Sequence, residues 1–245
     1  MQPEPEIEET VSEPVAVLTP ARSTRDLWLE VLAVLFIAVL PDLWSTVGFL
    51  VLKPTARSLN TREVHLVFRS VQVSWLVLYL MARSGTPWSR FGIVAPRWTW
   101  DSLAAFGNLI TARLCYLAYA AVVMETVSAE ALKQDTQRLA ELFKAPSGPE
   151  QTALVIVACI ANGFAEELVM RGYLIPRFED LLGSSAKAIF LSALLFASYH
   201  LYQGYYGAGS ALVVGLVFGV IFCSSRRIWP LAAAHALHNI LSWMS

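Results

Sequence analysis

Apolar runs of eighteen or more residues recur along this chain of 245 residues, and that feature restricts its fold more than any other. A run of that length is what a helix needs to cross a bilayer. Composition agrees: 56% of residues are hydrophobic and 15% charged, with a mean hydropathy of +0.53. A soluble domain is nearer ~45–50% apolar and ~25% charged. The expected fold class is all-α, a polytopic membrane helical bundle of about seven to eight transmembrane helices. The net charge of −1 offers no basic surface for nucleic acid, so the lipid bilayer is the first expected partner. Cys115, Cys159 and Cys223 are scattered through apolar segments, without metal-type or disulfide spacing.

Residues 1–24 are acidic and proline-bearing (Glu4, Glu6, Pro3, Pro5 among them), unlike a signal peptide, and read as a disordered acidic tail. Residues 25–148 hold the N-terminal transmembrane helices and a charged amphipathic connector, 128–143, expected outside the bilayer or on its surface. The first span, 27–52, carries Pro41-Asp42 in its middle, so it is expected to kink there or to form two half-helices, with Asp42 facing a cavity. The second, 63–81, carries His65 near the interface and Arg69, whose long side chain is expected to snorkel. A link at 82–98 has an interfacial composition, with Trp88, Phe91 and Trp98 suited to headgroup level. The third span is 99–127. Pro146-Ser147-Gly148-Pro149 then breaks the chain, and 149–245 is expected to be a catalytic helical core. Its spans start at Glu150, ending near Pro176 or continuing to Leu182, then cover 185–201, 210–223 and 228–243. A Gly- and Tyr-rich loop, 204–209, precedes the third of these four. Lys and Arg in the tail and the second, fourth and sixth links outnumber those in the other links. That places the N-terminus in the cytoplasm and the chain in a plasma or inner membrane.

Three polar clusters interrupt the apolar spans of the second half: Glu166/Glu167/Arg171, His200, and His235/His238/Asn239. A charge at membrane depth costs roughly 2.5–3.5 kcal/mol on insertion scales, so each cluster must pair, line a wet cavity or do chemistry. Helical spacing puts Glu167 and Arg171 on one face, where they can pair, while Glu166 is rotated about 100° away. His235 and Asn239 share a face. Convergence on one interior site accounts for all three. Carboxylate, imidazole and amide are the parts that hydrolysis by water needs: a proton acceptor for water and donors for the oxyanion.

Glu166-Glu167-x-x-x-Arg171, Phe196-x-x-x-His200 and His235-x-x-x-Asn239, in that order, resemble the three motifs of the CPBP (Abi) family. That family contains CAAX prenyl endopeptidases and bacteriocin-processing or self-immunity proteins. The resemblance covers 149–245. It implies a helical intramembrane protease acting on a membrane-associated protein or peptide, in a cavity open to the cytosol. By motif position Glu166 and His200 would activate water, His235 and Asn239 would hold the oxyanion, and Glu167 and Arg171 would support them. Glu166 is then expected within hydrogen-bond or one-water reach of His200, and Glu167 turned toward Arg171.

No His-Glu-x-x-His zinc motif is present. The expected mechanism is metal-independent, with no cofactor; its competitor is a zinc site using Glu166, His200 and His235. A non-enzymatic membrane protein (an immunity factor, transporter or scaffold) is the alternative function. CAAX-type tails, leaders and C-terminal sorting tails all suit as substrates.

Overall fold

The computed structural model describes residues 23–52 and 59–244. The tail expected over 1–24 lies outside them apart from Ser23, whose Oγ caps the first helix by accepting the Asp26 N–H at 3.1 Å, and Thr24. The described residues fold into helices: α1 (Thr24–Val34), α2 (Leu40–Leu52), α3 (Leu59–Arg83), α4 (Trp98–Thr126), α5 (Ala129–Leu142), α6 (Pro149–Glu167), α7 (Ile175–Leu182), α8 (Ser185–Ser198), α9 (Gly204–Ser225) and α10 (Trp229–Met244). The fold is the expected all-α membrane bundle. Five stretches are long and apolar enough to cross: Thr24–Gly48, Asn60–Arg83, Trp98–Thr126, Pro149–Leu182 and Leu201–Ser225. The helices at the other two expected spans are shorter, 14 residues for α8 and 16 for α10. At about 1.5 Å per residue neither fills a hydrocarbon core of ~30 Å.

Pro41 does not split the first span. Its ring would clash with the carbonyl four residues back, on Ile37, and it has no N–H for that carbonyl. A π-helical turn, Leu35–Val39, widens the backbone just before it, and the helix runs on into α2. Arg69 of α3 takes the place of the missing donor. Its Nη2 reaches Ile37 O at 3.4 Å and Ala38 O at 3.1 Å, and Nε and Nη2 clasp the two Asp42 oxygens at 2.8 and 3.0 Å. One expectation is corrected: Arg69 ties α3 to α2 instead of snorkelling. Asp42 is neutralised from α3 while its side chain stays 41% exposed.

The same device recurs before Pro176. The π-helical segment Leu168–Leu174 joins α6 to α7, so the fourth span continues to Leu182 and ends at Gly183, whose φ of +63° is the left-handed stop. One carbonyl of this segment, on Met170, accepts the Ser192 hydroxyl at 2.8 Å.

Small residues set the helix spacing. A Cβ on Gly163 would lie 2.8 Å from Ala236 N, so α6 and α10 touch backbone to backbone. Gly215 presses α9 against α8 at Ala193, the close contact its spacing with Gly219 predicts. Outward faces carry large apolar side chains (Phe36, Trp44, Trp75, Phe106, Leu114), as lipid-facing surface requires. The 204–209 stretch is not a loop; it forms the first turns of α9. The connector α5 lies against it, with Asp135 Oδ2 accepting the Tyr206 N–H at 2.9 Å and Tyr119 stacking on Tyr206. In the 82–98 link Trp88 and Trp98 are exposed, while Phe91 is fully buried beneath the Arg177 guanidinium. Ion pairs gather this end of the bundle: Arg90 with Asp180, Arg226 with Glu179 and Arg227 with Asp101.

Candidate active site

The site is assembled where α6 meets α10, one turn from the Gly163 contact. Glu167 is completely buried and Arg171 nearly so. Arg171 Nη1 donates to Glu167 Oε1 at 2.7 Å, the pair predicted from their spacing. The guanidinium is also sandwiched by Phe196 and Phe218, at 4.7 and 5.6 Å from the ring centroids. A fixed cation thus sits against the carboxylate in an otherwise apolar core.

His235 brings the two glutamates together. Its Nδ1 lies 2.7 Å from Glu167 Oε1. That oxygen already accepts from Arg171, so Nδ1 is the donor and carries the proton. Nε2 faces Glu166 Oε2 at 3.3 Å, within ion-pair distance but outside hydrogen-bond geometry. Glu166 Oε2 is therefore a buried carboxylate oxygen with no hydrogen-bond donor among the described residues. The other oxygen, Oε1, accepts from the Tyr199 hydroxyl at 3.2 Å.

His200 sits in the turn after α8. Its Nδ1 lies 2.7 Å from Phe196 O, an acceptor only, so Nδ1 holds the proton and Nε2 presents a lone pair. Of the two arrangements expected for Glu166 and His200, a direct hydrogen bond or one-water reach, the direct bond is not formed among the described residues. The backbone bond to Phe196 fixes the His200 ring, and His235 and Tyr199 take the positions beside Glu166. His200 still adjoins the site: Phe196 packs on His200 at 4.6 Å and on His235 at 5.8 Å between ring centroids. Asn239, one turn beyond His235, is half-buried and makes no side-chain hydrogen bond among the described residues. Its amide remains able to donate.

Tyr199 was not singled out from sequence, although a phenol in an apolar span needs a partner for its hydroxyl. Its carbonyl accepts the Thr46 hydroxyl at 2.7 Å, which ties α2 to the site.

Among the described residues no group of three or more His, Cys, Asp and Glu side chains is arranged to hold a metal ion. Both nitrogens of His235 face glutamate oxygens, and Nδ1 of His200 is spent on a carbonyl.

Residues 148–241 match the profile of the Rce1-like family, described as type II CAAX prenyl endopeptidase Rce1-like. The matched stretch contains all three motifs, and it is the family type that those motifs resemble. The match supports a CAAX-type protease in a multi-pass membrane protein. No curated protein and no solved structure matches the chain.

Proposed function

Starting from an Rce1-like segment over 148–241, we propose that this protein is an intramembrane endopeptidase that hydrolyses a peptide bond of a membrane-associated protein or peptide. A CAAX-type C-terminus is the substrate class that the family favours. The observation that carries the reading is Glu166 Oε2, a buried carboxylate oxygen without a donor, beside a histidine whose other nitrogen is fixed. Such an oxygen suits an attacking water, which would donate one hydrogen to it and leave its own lone pair for the substrate carbonyl.

Glu166 accepts the water's proton, with the bare Nε2 of His200 as its partner base. The water oxygen bonds to the carbonyl carbon, and the carbonyl oxygen takes up the negative charge. That oxyanion is held by the Asn239 amide, with the His235 ring beside it. As the tetrahedral species collapses, the C–N bond breaks and the proton taken from water passes to the leaving amine. Glu167 and Arg171 hold the His235 tautomer. No metal enters these steps; a metal-independent mechanism is part of the proposal.

The test is hydrolysis of a lipidated peptide by purified protein. Glu166→Gln keeps the helical circular dichroism and loses at least ~10²-fold in turnover, the usual weight of a general base. Unmutated protein, stripped with a strong chelator and with its metal content measured, keeps its rate. Equal turnover by Glu166→Gln removes Glu166 from the mechanism. Loss of activity that stoichiometric zinc restores removes the metal-free route.

A further inference from the structure

We propose that Arg69 anchors the C-terminal carboxylate of the substrate peptide, in a groove along α3. The inference rests on the protease reading above and assigns a binding site to a helix that none of the three motifs reaches. The groove is a largely open one of about 690 Å³, lined by Asn60, Thr61, His65, Phe68, Arg69 and Gln72 among others. That volume suits a short peptide segment. Its lining mixes hydrogen-bonding side chains with an aromatic ring, as a peptide with apolar side chains requires.

Helical register puts Arg69 at the edge of this groove. Glu63, Ser70 and Ser74 are buried on the side of α3 that packs on α6, while His65, Phe68 and Gln72 are exposed on the far side. At 100° per residue, Arg69 falls between the two faces. From there its guanidinium reaches Asp42 of α2.

Asp42 shows what Arg69 is shaped to hold. The carboxylate meets Nε and Nη2 in a two-pronged pair at 2.8 and 3.0 Å, the geometry that selects carboxylates over single acceptors. Nη1 is left with one long contact, 3.5 Å to Ile37 O. The Asp42 side chain is 41% exposed, so it can turn away when another carboxylate takes its place. Asp42 thus keeps the guanidinium neutralised between substrates.

The position suits the chemistry. Thr46, one turn along α2 from Asp42, donates to the Tyr199 carbonyl, and the Tyr199 hydroxyl donates to Glu166. Cleavage after the cysteine of a CAAX tail releases three residues, whose extended length is about 10 Å. A carboxylate held by Arg69 would present the bond three residues upstream toward Glu166.

The experiment measures binding, so that it does not depend on turnover. Two fluorescent S-farnesylated peptides ending Cys-Val-Val-Ser are used, identical except for a free acid or an amide at the C-terminus. They are titrated into full-length Glu166→Gln protein in nanodiscs and read by anisotropy. The acid is expected to bind about tenfold tighter than the amide, as a charge-assisted pair allows. Adding Arg69→Gln brings the acid to the affinity of the amide. Adding Asp42→Asn instead tightens the acid several-fold, because it removes the internal competitor. That opposite sign separates an anchor from a mere tether between α2 and α3, whose loss by either change would weaken both peptides alike. Equal binding of acid and amide, no binding of either, a preference that survives Arg69→Gln, or weaker acid binding in Asp42→Asn would each overturn the anchor. A preference for the acid together with no cleavage of either peptide by the unmutated protein would sink the protease reading and leave the anchor standing.

Discussion

Glu166 and Glu167 are adjacent in the chain and share His235, but their remaining contacts differ. Glu167 Oε1 receives both Arg171 and His235, whereas Glu166 receives one phenol and faces His235 without a hydrogen bond. The α-helical turn of about 100° separates the two side chains, and the neighbours on α8 and α10 do the rest. Tyr199 is the residue whose role follows most directly from that contrast. It holds one oxygen of Glu166 and so aims the other at the space beside His235. Removing the hydroxyl leaves the ring packed on Phe196 and His200 but frees the carboxylate to rotate. Tyr199→Phe is therefore expected to lower kcat about tenfold, the worth of one hydrogen bond to a charged group, with KM and melting temperature little changed. Steady-state kinetics beside a melting curve checks this; a fall in stability with unchanged kcat would make Tyr199 a packing residue only.

At the scale of elements, contacts within one helix were legible and contacts between helices were not. The Glu167–Arg171 pair follows from a spacing of four. The bridge from His235 to both glutamates spans 68 positions and depends on how closely α6 and α10 pack, which no local pattern encodes. The same gap hid the Arg69–Asp42 clasp, because each residue alone reads as a charge seeking water. Proline and glycine misled in a consistent way. Pro41 reads as a break, yet a π turn and a borrowed arginine absorb it; Gly204, Gly207 and Gly209 read as a loop, yet they lie in α9, where Gly204 and Gly209 let α5 and Tyr119 approach. Gly163 shows how much rests on one such position. A side chain there must push α10 away at Ala236, next to His235, and overpacking of this kind costs about 1–3 kcal/mol. Gly163→Leu should lower the melting temperature in detergent and abolish hydrolysis. Gly107→Leu on α4, where a Cβ meets nothing within 4 Å, should do neither. Equal effects of the two changes would mean that the α6–α10 contact does not set the site.

For the whole molecule, the ends of the bundle carry the remaining information. Arg90, Arg177, Arg226 and Arg227 come from links and helix ends far apart in sequence, and their ion pairs with Asp180, Glu179 and Asp101 place them at one end. Glu30 of α1 lies 3.8 Å from Arg177, so the start of the first helix belongs to the same end. The alternation of links in the sequence groups these cations with the N-terminal tail, on the side richer in Lys and Arg. The positive-inside rule predicts that this end is the cytoplasmic one. The span count does not decide the matter, because α8 and α10 are too short for length alone to show whether each crosses. Exposed lysines at the two ends do decide it. Lys187, at the start of α8, belongs to the cation-rich end, and Lys144, just before α6, to the other. In protein whose three cysteines are replaced, Lys187→Cys should react with a membrane-impermeant maleimide only in inside-out vesicles. Lys144→Cys should react only in right-side-out vesicles. The reverse pattern would put the N-terminus outside and the cation-rich end away from the cytosol. Labelling of both cysteines from one side would mean that the helix carrying Glu166 does not cross the bilayer.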